Sequence, residues 1–269
     1  MTSAGPAAPV GVFDSGVGGL SVLREIHAQW PTEALVYVAD SGHAPYGEKS
    51  ADFIEARVRH LIDHLRGCGA KAIVVACNTV TGLMIERLRQ HYPQTPIVAI
   101  EPAVKPAAQS TRSGVIGVLA TRQTVASPGL ARLVDTYAQG KRVLLQACPG
   151  WVERVERGLL DGPDTEAAVA AYVNPLLAQG ADTLVLGCTH YPFLAPVIQR
   201  LAGDGVQIID PAAAVARELG RRLAQAGLAA PAGAETAADV TFWTSADTSQ
   251  AACLIARLWG QPVQPQPLP

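Results

Sequence analysis

Ala72-Ile73-Val74-Val75-Ala76-Cys77-Asn78-Thr79 is the stretch on which the reading of this chain turns. Five small or apolar residues, three of them β-branched, make a short buried-strand pattern. The run stops at a thiol followed by two hydrogen-bonding side chains. Leu83, Ile85 and Leu88 then recur at helical spacing, so Cys77 is expected where a strand ends and a helix starts. In open α/β sheets that carboxyl edge is where ligands bind. The pattern recurs 111 positions later in Thr183-Leu184-Val185-Leu186-Gly187-Cys188-Thr189-His190. One thiol at a strand end is weak evidence, whereas two in matching contexts pose the question of a shared site.

Working outward, residues 10–13 form an apolar strand ended by Asp14-Ser15-Gly16-Val17-Gly18-Gly19, with a helix behind it. A strand over 35–39, a loop from Asp40 to Gly47 and a helix over 50–66 lead into the Cys77 strand, and a fourth strand covers 97–100. The series then restarts: strand 115–119, helix 123–137, strand 142–146, helical stretches 151–159 and 164–179, the Cys188 strand, and strand 206–209. A helix over 211–226, an Ala/Gly/Pro-rich linker over 227–238, a strand over 240–243 and a helix over 247–258 follow. The tail from Gln261, with four prolines, is expected to be disordered. Strands alternating with helices predict a mainly parallel, doubly wound α/β protein.

The two series look alike. Gly11-Val12-Phe13-Asp14-Ser15 resembles Gly117-Val118-Leu119-Ala120-Thr121, and the interval to the cysteine is 62 positions from Ser15 and 67 from Thr121. An internal duplication fits this, and it implies two similar domains whose strand-end edges share a cleft, with Cys77 and Cys188 on opposite walls. A length of 269 residues agrees, at about 150 residues per domain.

Composition narrows the function. Hydrophobic content of 49% is ample for a packed core, and a formal net charge of −2 with no long charged run advertises no nucleic-acid or membrane surface. The N-terminus lacks the basic and apolar regions of a signal peptide, and no apolar run reaches the ~18 residues of a membrane span. The five cysteines are scattered without a secreted-domain pattern, so a reducing cytoplasmic setting is expected.

Cys68, Cys148 and Cys253 read as core filler. Cys77 and Cys188 differ because each is expected to head a helix, where free N–H groups stabilise a thiolate, and His190 stands two residues beyond Cys188. A redox dithiol and a zinc site are rival readings. The chain has no Cys-x-x-Cys, however, and no second ligand at metal spacing accompanies Cys77, Cys188 or His190. The Gly16-x-Gly18-Gly19 turn lacks the dinucleotide spacing and the Walker lysine, and reads as a tight turn that accommodates an anion. Asp14 either contacts a ligand or caps the turn, and for Asp40 and Glu156 alone a capping or solvated role is the ordinary one. Ser15, Asn78, Thr79 and Thr189, each an ordinary N-cap type, together suit a small carboxylate held by hydroxyls, amides and backbone N–H groups. Lys49 is the loop-placed candidate for a pyridoxal phosphate Schiff base among four lysines.

Val10–Gly19, Pro45-Tyr46-Gly47, Ala76–Thr79, Glu101–Ala107 and Leu186–Leu194 resemble the corresponding segments of bacterial glutamate racemases, in the same order. These belong to the cofactor-independent aspartate/glutamate racemase superfamily. The resemblance implies two α/β domains related by pseudo-two-fold symmetry, residues 1–99 plus 209–269 forming the first and 100–208 the second, with the active site between them. It implies Cys77 and Cys188 as the acid/base pair, assisted by Asp14, Asp40, Glu156 and His190. Asp14, Ser15, Asp40, Pro45, Tyr46, Gly47, Asn78, Thr79, Thr121, Thr189 and His190 would bind substrate. It also implies no metal and no cofactor, L- and D-glutamate as ligands, a homodimer, and D-glutamate supplied for peptidoglycan. The alternatives are an aspartate or other amino-acid racemase of the superfamily and a non-catalytic member that binds a ligand or protein.

Overall fold

The computed structural model describes residues 5–231 and 238–269. The first series comprises β1 (Val10–Asp14), α1 (Leu20–Gln29), β2 (Leu35–Ala39), α2 (Ala51–Gly67), β3 (Ala72–Val75), α3 (Asn78–His91) and β4 (Ile97–Ala99). After α4 (Val104–Ser110) the second comprises β5 (Val115–Ala120), α5 (Arg122–Val125), α6 (Pro128–Tyr137), β6 (Arg142–Ala147), α7 (Trp151–Glu156), α8 (Pro163–Ala178), β7 (Thr183–Gly187), α9 (Ala195–Ala202) and β8 (Gln207–Ile209). The chain then adds α10 (Ala212–Gln225), β9 (Val240–Thr244), α11 (Thr248–Trp259) and β10 (Gln266–Pro267).

Two parallel sheets result, ordered β10-β9-β2-β1-β3-β4 and β6-β5-β7-β8. The inner order repeats: β2-β1-β3-β4 in one sheet corresponds to β6-β5-β7-β8 in the other. Register repeats too. Gly11 pairs with Ile73 across β1 and β3, and Gly117 pairs with Leu184 across β5 and β7. Each glycine is needed for the same reason. A Cβ on Gly11 would lie 3.0 Å from Ile73 Cδ1 and from Leu65 Cδ2, and one on Gly117 would lie 2.7 Å from Leu184 Cδ2 and 2.8 Å from Leu176 Cδ1. In both halves the glycine of the central strand admits a leucine from the crossover helix and a branched side chain from the neighbouring strand. The expected internal repeat is therefore present in three dimensions.

Strands buried on both faces explain the unbroken apolar runs. Val10, Val12, Ala72 and Val74 pack with α1 and α10, while Phe13, Ile73 and Val75 pack with α2 and α3. In the second sheet Leu184 and Leu186 face α8 and α9, and Ile116, Val118 and Val185 face α4 and α6. One apolar cluster runs through both sheets.

Three expectations change. The single helix over 123–137 is two, because Ser127 accepts a hydrogen bond from the Leu130 N–H (3.2 Å) and starts a new helix with Pro128 in its first turn. Cys188 does not head a helix directly: a turn follows it, then a 3-10 segment over Tyr191–Leu194, before α9. The tail is not disordered: β10 pairs in parallel with β9, and the Leu268 N–H donates to Thr244 O (2.8 Å). Proline is tolerated on such an edge because its missing donor would face outward, and Val263 and Leu268 supply apolar contacts to the core. Residues 232–237 of the expected linker lie outside the described residues. Among the described residues no helix is long and apolar enough to cross a membrane.

Candidate active site

In an open sheet ordered 2-1-3-4, the crevice lies past the carboxyl ends of strands 1 and 3, where the crossovers diverge to opposite faces. In the first sheet those ends deliver Ser15 and Cys77, and in the second they deliver Thr121 and Cys188. All four line one cleft. Asn78, Thr79, Thr189 and His190 follow the thiols into it, and Pro45, Tyr46 and Gly47 form a further wall. Val152 of α7 completes the lining, and sequence reasoning did not single it out.

The three carboxylates named from the sequence stand outside the lining. Asp14 is fully buried behind Ser15, where it accepts hydrogen bonds from the Gly19 N–H (2.8 Å) and the Thr189 hydroxyl (3.2 Å). It therefore caps its own turn and also reaches the second half. Burial raises its pKa above the carboxylate norm, against the pull of His190. Asp40 accepts from Tyr46 OH (2.5 Å), from Arg57 Nε (3.0 Å) and from Arg57 Nη2 (2.7 Å), and pairs with His43 Nδ1 at 3.0 Å. Glu156 Oε1 lies 2.6 Å from His190 Nε2 and accepts from the Val17 N–H at 2.7 Å.

That last bond accounts for the glycine-rich turn. Its anion is the protein's own: the Glu156 carboxylate, brought from the second half onto a backbone N–H of the first. Close approach explains the glycines, since a Cβ on Gly16 would lie 1.9 Å from Glu156 Oε1 and one on Gly18 2.2 Å from His190 Nδ1. Tyr37, buried beneath the turn, donates to Gly16 O at 2.7 Å and fixes its shape.

The thiols differ in their surroundings. Cys77 is the residue before α3, with Sγ 3.7 Å from Ser15 Oγ; burial and then the Asp14 charge push its pKa well up. Cys188 Sγ lies 3.8 Å from His190 Nδ1. Burial works to lower the pKa of His190, but the hydrogen bonds to Cys188 and Glu156 and the Asp14 charge prevail and raise it. The arrangement offers a thiol on each wall, one of them beside an imidazole held protonated.

Asn78 and the threonines face the space between. Asn78 is buried, yet both its side-chain nitrogen and oxygen lack a partner. A buried amide in that state loses hydrogen-bond free energy unless a ligand or water supplies the bonds. Thr79 Oγ1 meets Thr121 Oγ1 at 3.0 Å across the halves, and Thr121 donates to Thr124 Oγ1 at 3.0 Å.

The remaining candidates scatter. All five cysteines are free. Cys148 is buried as core filler would be, and it lines a neighbouring pocket that shares Pro45, Gly47, Thr121 and Val152 with the cleft. Cys253 contradicts the core reading: it is exposed, because α11 turns that face to solvent. Lys49 holds its ammonium 5.7 Å from the centre of the Phe53 ring and does not line the cleft. Among the described residues no group of three or more His, Cys, Asp or Glu side chains is arranged to hold a metal ion.

Comparison with known proteins agrees with this geometry. The family model of Asp/Glu/Hydantoin racemase matches residues 10–219. The glutamate racemase of Ectopseudomonas mendocina (strain ymp) is 54% identical over 257 residues, covering 96% of this chain and 97% of that one. Among solved structures, the glutamate racemase isoform RacE1 from Bacillus anthracis superposes with a TM-score of 0.85 at 31% identity, covering 96% of each chain. The Escherichia coli glutamate racemase in complex with L-glutamate and the activator UDP-MurNAc-ala gives 0.82 at 31% identity, over 96% of this chain and 97% of that one. The chain belongs to the Asp/Glu/Hydantoin racemase family, within its glutamate racemase branch.

Proposed function

We propose that this racemase interconverts L- and D-glutamate, using Cys77 and Cys188 as a two-base pair. The observation that carries the reading is that two thiols end equivalent strands of the two sheets and line one cleft. Inversion at Cα requires removing a proton from one face and delivering another to the opposite face. Two groups on opposite walls, one thiolate and one thiol, do this without moving the substrate, and they exchange roles in the reverse direction. Cys77 takes the proton of D-glutamate and Cys188 that of L-glutamate.

The α-proton beside a carboxylate is barely acidic, so the site must stabilise the carbanion by fixed dipoles and keep water out. Asn78, Thr79, Thr121, Thr189 and Ser15 hold the carboxylates, and Tyr46 and Gly47 close the wall. The imidazolium of His190, held by its hydrogen bonds to Cys188 and Glu156 and by the charge of Asp14, stands beside the Cys188 sulfur. The buried Cys77 rests as a thiol, ready to donate its proton to the carbanion that Cys188 forms from L-glutamate. Asp40 serves through Tyr46. No cofactor takes part. The domains are 1–99 plus 209–269 and 100–208, the protein is a cytoplasmic homodimer, and its D-glutamate supplies peptidoglycan precursors.

The test follows the circular dichroism of each enantiomer in D2O. The wild type should drive both signals to zero with one deuterium at Cα, and Cys77→Ser and Cys188→Ser should each slow inversion by at least about 10²-fold. Full racemisation by either variant overturns the scheme. Faster turnover of aspartate than of glutamate would overturn the substrate assignment instead.

A further inference from the structure

Asp40 and Cys148 occupy equivalent places, each one residue past the second strand of its half, yet only the first half carries a braced loop there. Asp40 is fully buried and spends its two carboxylate oxygens on four contacts: both arms of Arg57, Tyr46 OH and His43 Nδ1. Burial alone would raise its pKa, but the hydrogen bonds from Arg57 and Tyr46 and the guanidinium charge hold it below the usual carboxylate range. Arg57 comes from α2, its side chain four-fifths buried, and touches neither the cleft nor the thiols.

The loop held in this way reaches across to the second half. Its Lys49 carbonyl accepts from Gln123 Nε2 at 3.1 Å, and Gly47 packs so close to Thr121 that a Cβ there would sit 2.9 Å from Thr121 Cβ. Between these far contacts and the Asp40 anchor lie Pro45, Tyr46 and Gly47, the residues that wall the cleft. One end of the wall is therefore fixed by a two-pronged ion pair and the other rests on the opposite half.

We propose that Arg57 is a positioning residue for racemisation: its bidentate grip on Asp40 holds the Tyr46–Gly47 wall in the shape that binds substrate. This rests on the glutamate racemase reading. A guanidinium suits the task because its planar fork fixes both carboxylate oxygens at once, leaving Asp40 oriented toward Tyr46, whereas an ammonium acts as a point charge with no preferred plane. The role concerns binding rather than proton transfer, so KM should rise with kcat little changed. L- and D-glutamate have equal free energy, so kcat/KM must fall by the same factor for both.

The experiment measures kcat and KM for both enantiomers in wild type, Arg57→Lys, Arg57→Met and Arg57→Met/Asp40→Asn, with thermal melts to confirm folding. Loss of a charge-assisted hydrogen-bonded pair predicts KM raised about tenfold or more in Arg57→Met, with kcat within about threefold of wild type. Asp40→Asn in the Met background removes the stranded carboxylate and should recover part of the KM loss. Arg57→Lys keeps the charge without the fork, and it should fold even if Arg57→Met does not, with KM still raised severalfold. Wild-type KM in Arg57→Lys, or a fall in kcat at unchanged KM in any folded variant, overturns the proposal. A wild-type protein that fails to racemise glutamate defeats the functional reading instead, before any variant is compared.

Discussion

The two halves build the same sheet edge and then treat the thiol on it differently. Cys77 passes directly into a 14-residue helix and, among the described residues, has the Ser15 hydroxyl as its one side-chain hydrogen-bond partner. Cys188 passes into a turn, and His190 swings back beside it, tied to Glu156 from its own half and placed 3.9 Å from Asp14 of the other. A repeated scaffold supplies the symmetry that inversion of a stereocentre needs. The surroundings supply the asymmetry: burial and the Asp14 charge push the Cys77 thiol pKa up, while Cys188 stands beside an imidazole whose own pKa is raised.

The largest effect expected from breaking this comparison is in the thiols. Cys77→Ser and Cys188→Ser should each lose inversion by about 10²–10⁴-fold, the range of a lost general acid or base. Each should keep an exchange reaction of opposite hand. Cys77→Ser should still wash the α-proton of L-glutamate into D2O without inverting it, and Cys188→Ser that of D-glutamate, as read by proton NMR. Exchange of both enantiomers by one variant would mean that a single group reaches both faces.

A smaller effect should separate the two sides by pH. His190 is held protonated above its usual range, so a step that needs the imidazolium persists to higher pH and is lost as pH rises through that raised pKa. Glu156→Gln removes one of the raising partners. The alkaline limb of the kcat profile should then move to lower pH while the acid limb stays. Turnover should fall by roughly ten- to a hundredfold, the worth of a hydrogen bond to a charged group. An unmoved alkaline limb would mean that the imidazolium plays no part.

The paired glycines test the scaffold itself. Gly117→Ala meets Leu184 Cδ2 at 2.7 Å and Gly11→Ala meets Ile73 Cδ1 at 3.0 Å, so both should overpack and cost about 1–3 kcal/mol by urea denaturation, Gly117→Ala the more. Equal and negligible losses would show that the repeat tolerates a side chain at its centre. The smallest effect concerns the strands that only the first half possesses. Leu268→Ala, at a partly buried site beside β10, should cost about 1 kcal/mol with kcat unchanged.

Much of this was legible in the sequence because it is local. An apolar run ending in Cys-Asn-Thr or Cys-Thr-His places a thiol at a strand end whatever the rest of the chain does, since strand burial and the helical spacing behind it are short-range patterns. The likeness of Gly11–Ser15 to Gly117–Thr121 was enough to expect two halves, and the structure shows why the glycines recur. The tail misled because proline content speaks against a regular strand but not against an edge strand, and Val263 and Leu268 were too few to outweigh it in a local reading.

Residue type and spacing alone determined that this chain folds as alternating strands and helices, that two cysteines end two of the strands, and which polar residues accompany them. Only the tertiary structure decided which groups meet. Glu156 lies 139 positions from Val17 and Arg57 17 from Asp40, and no periodicity announces either pair. The glycine turn holds a carboxylate of its own chain, Asp40 belongs to a loop anchor rather than to the cleft lining, and His190 stands beside the Cys188 thiol. Such contacts depend on how two sheets are set edge to edge, which is a property of packing over the whole molecule and is not encoded in any one stretch.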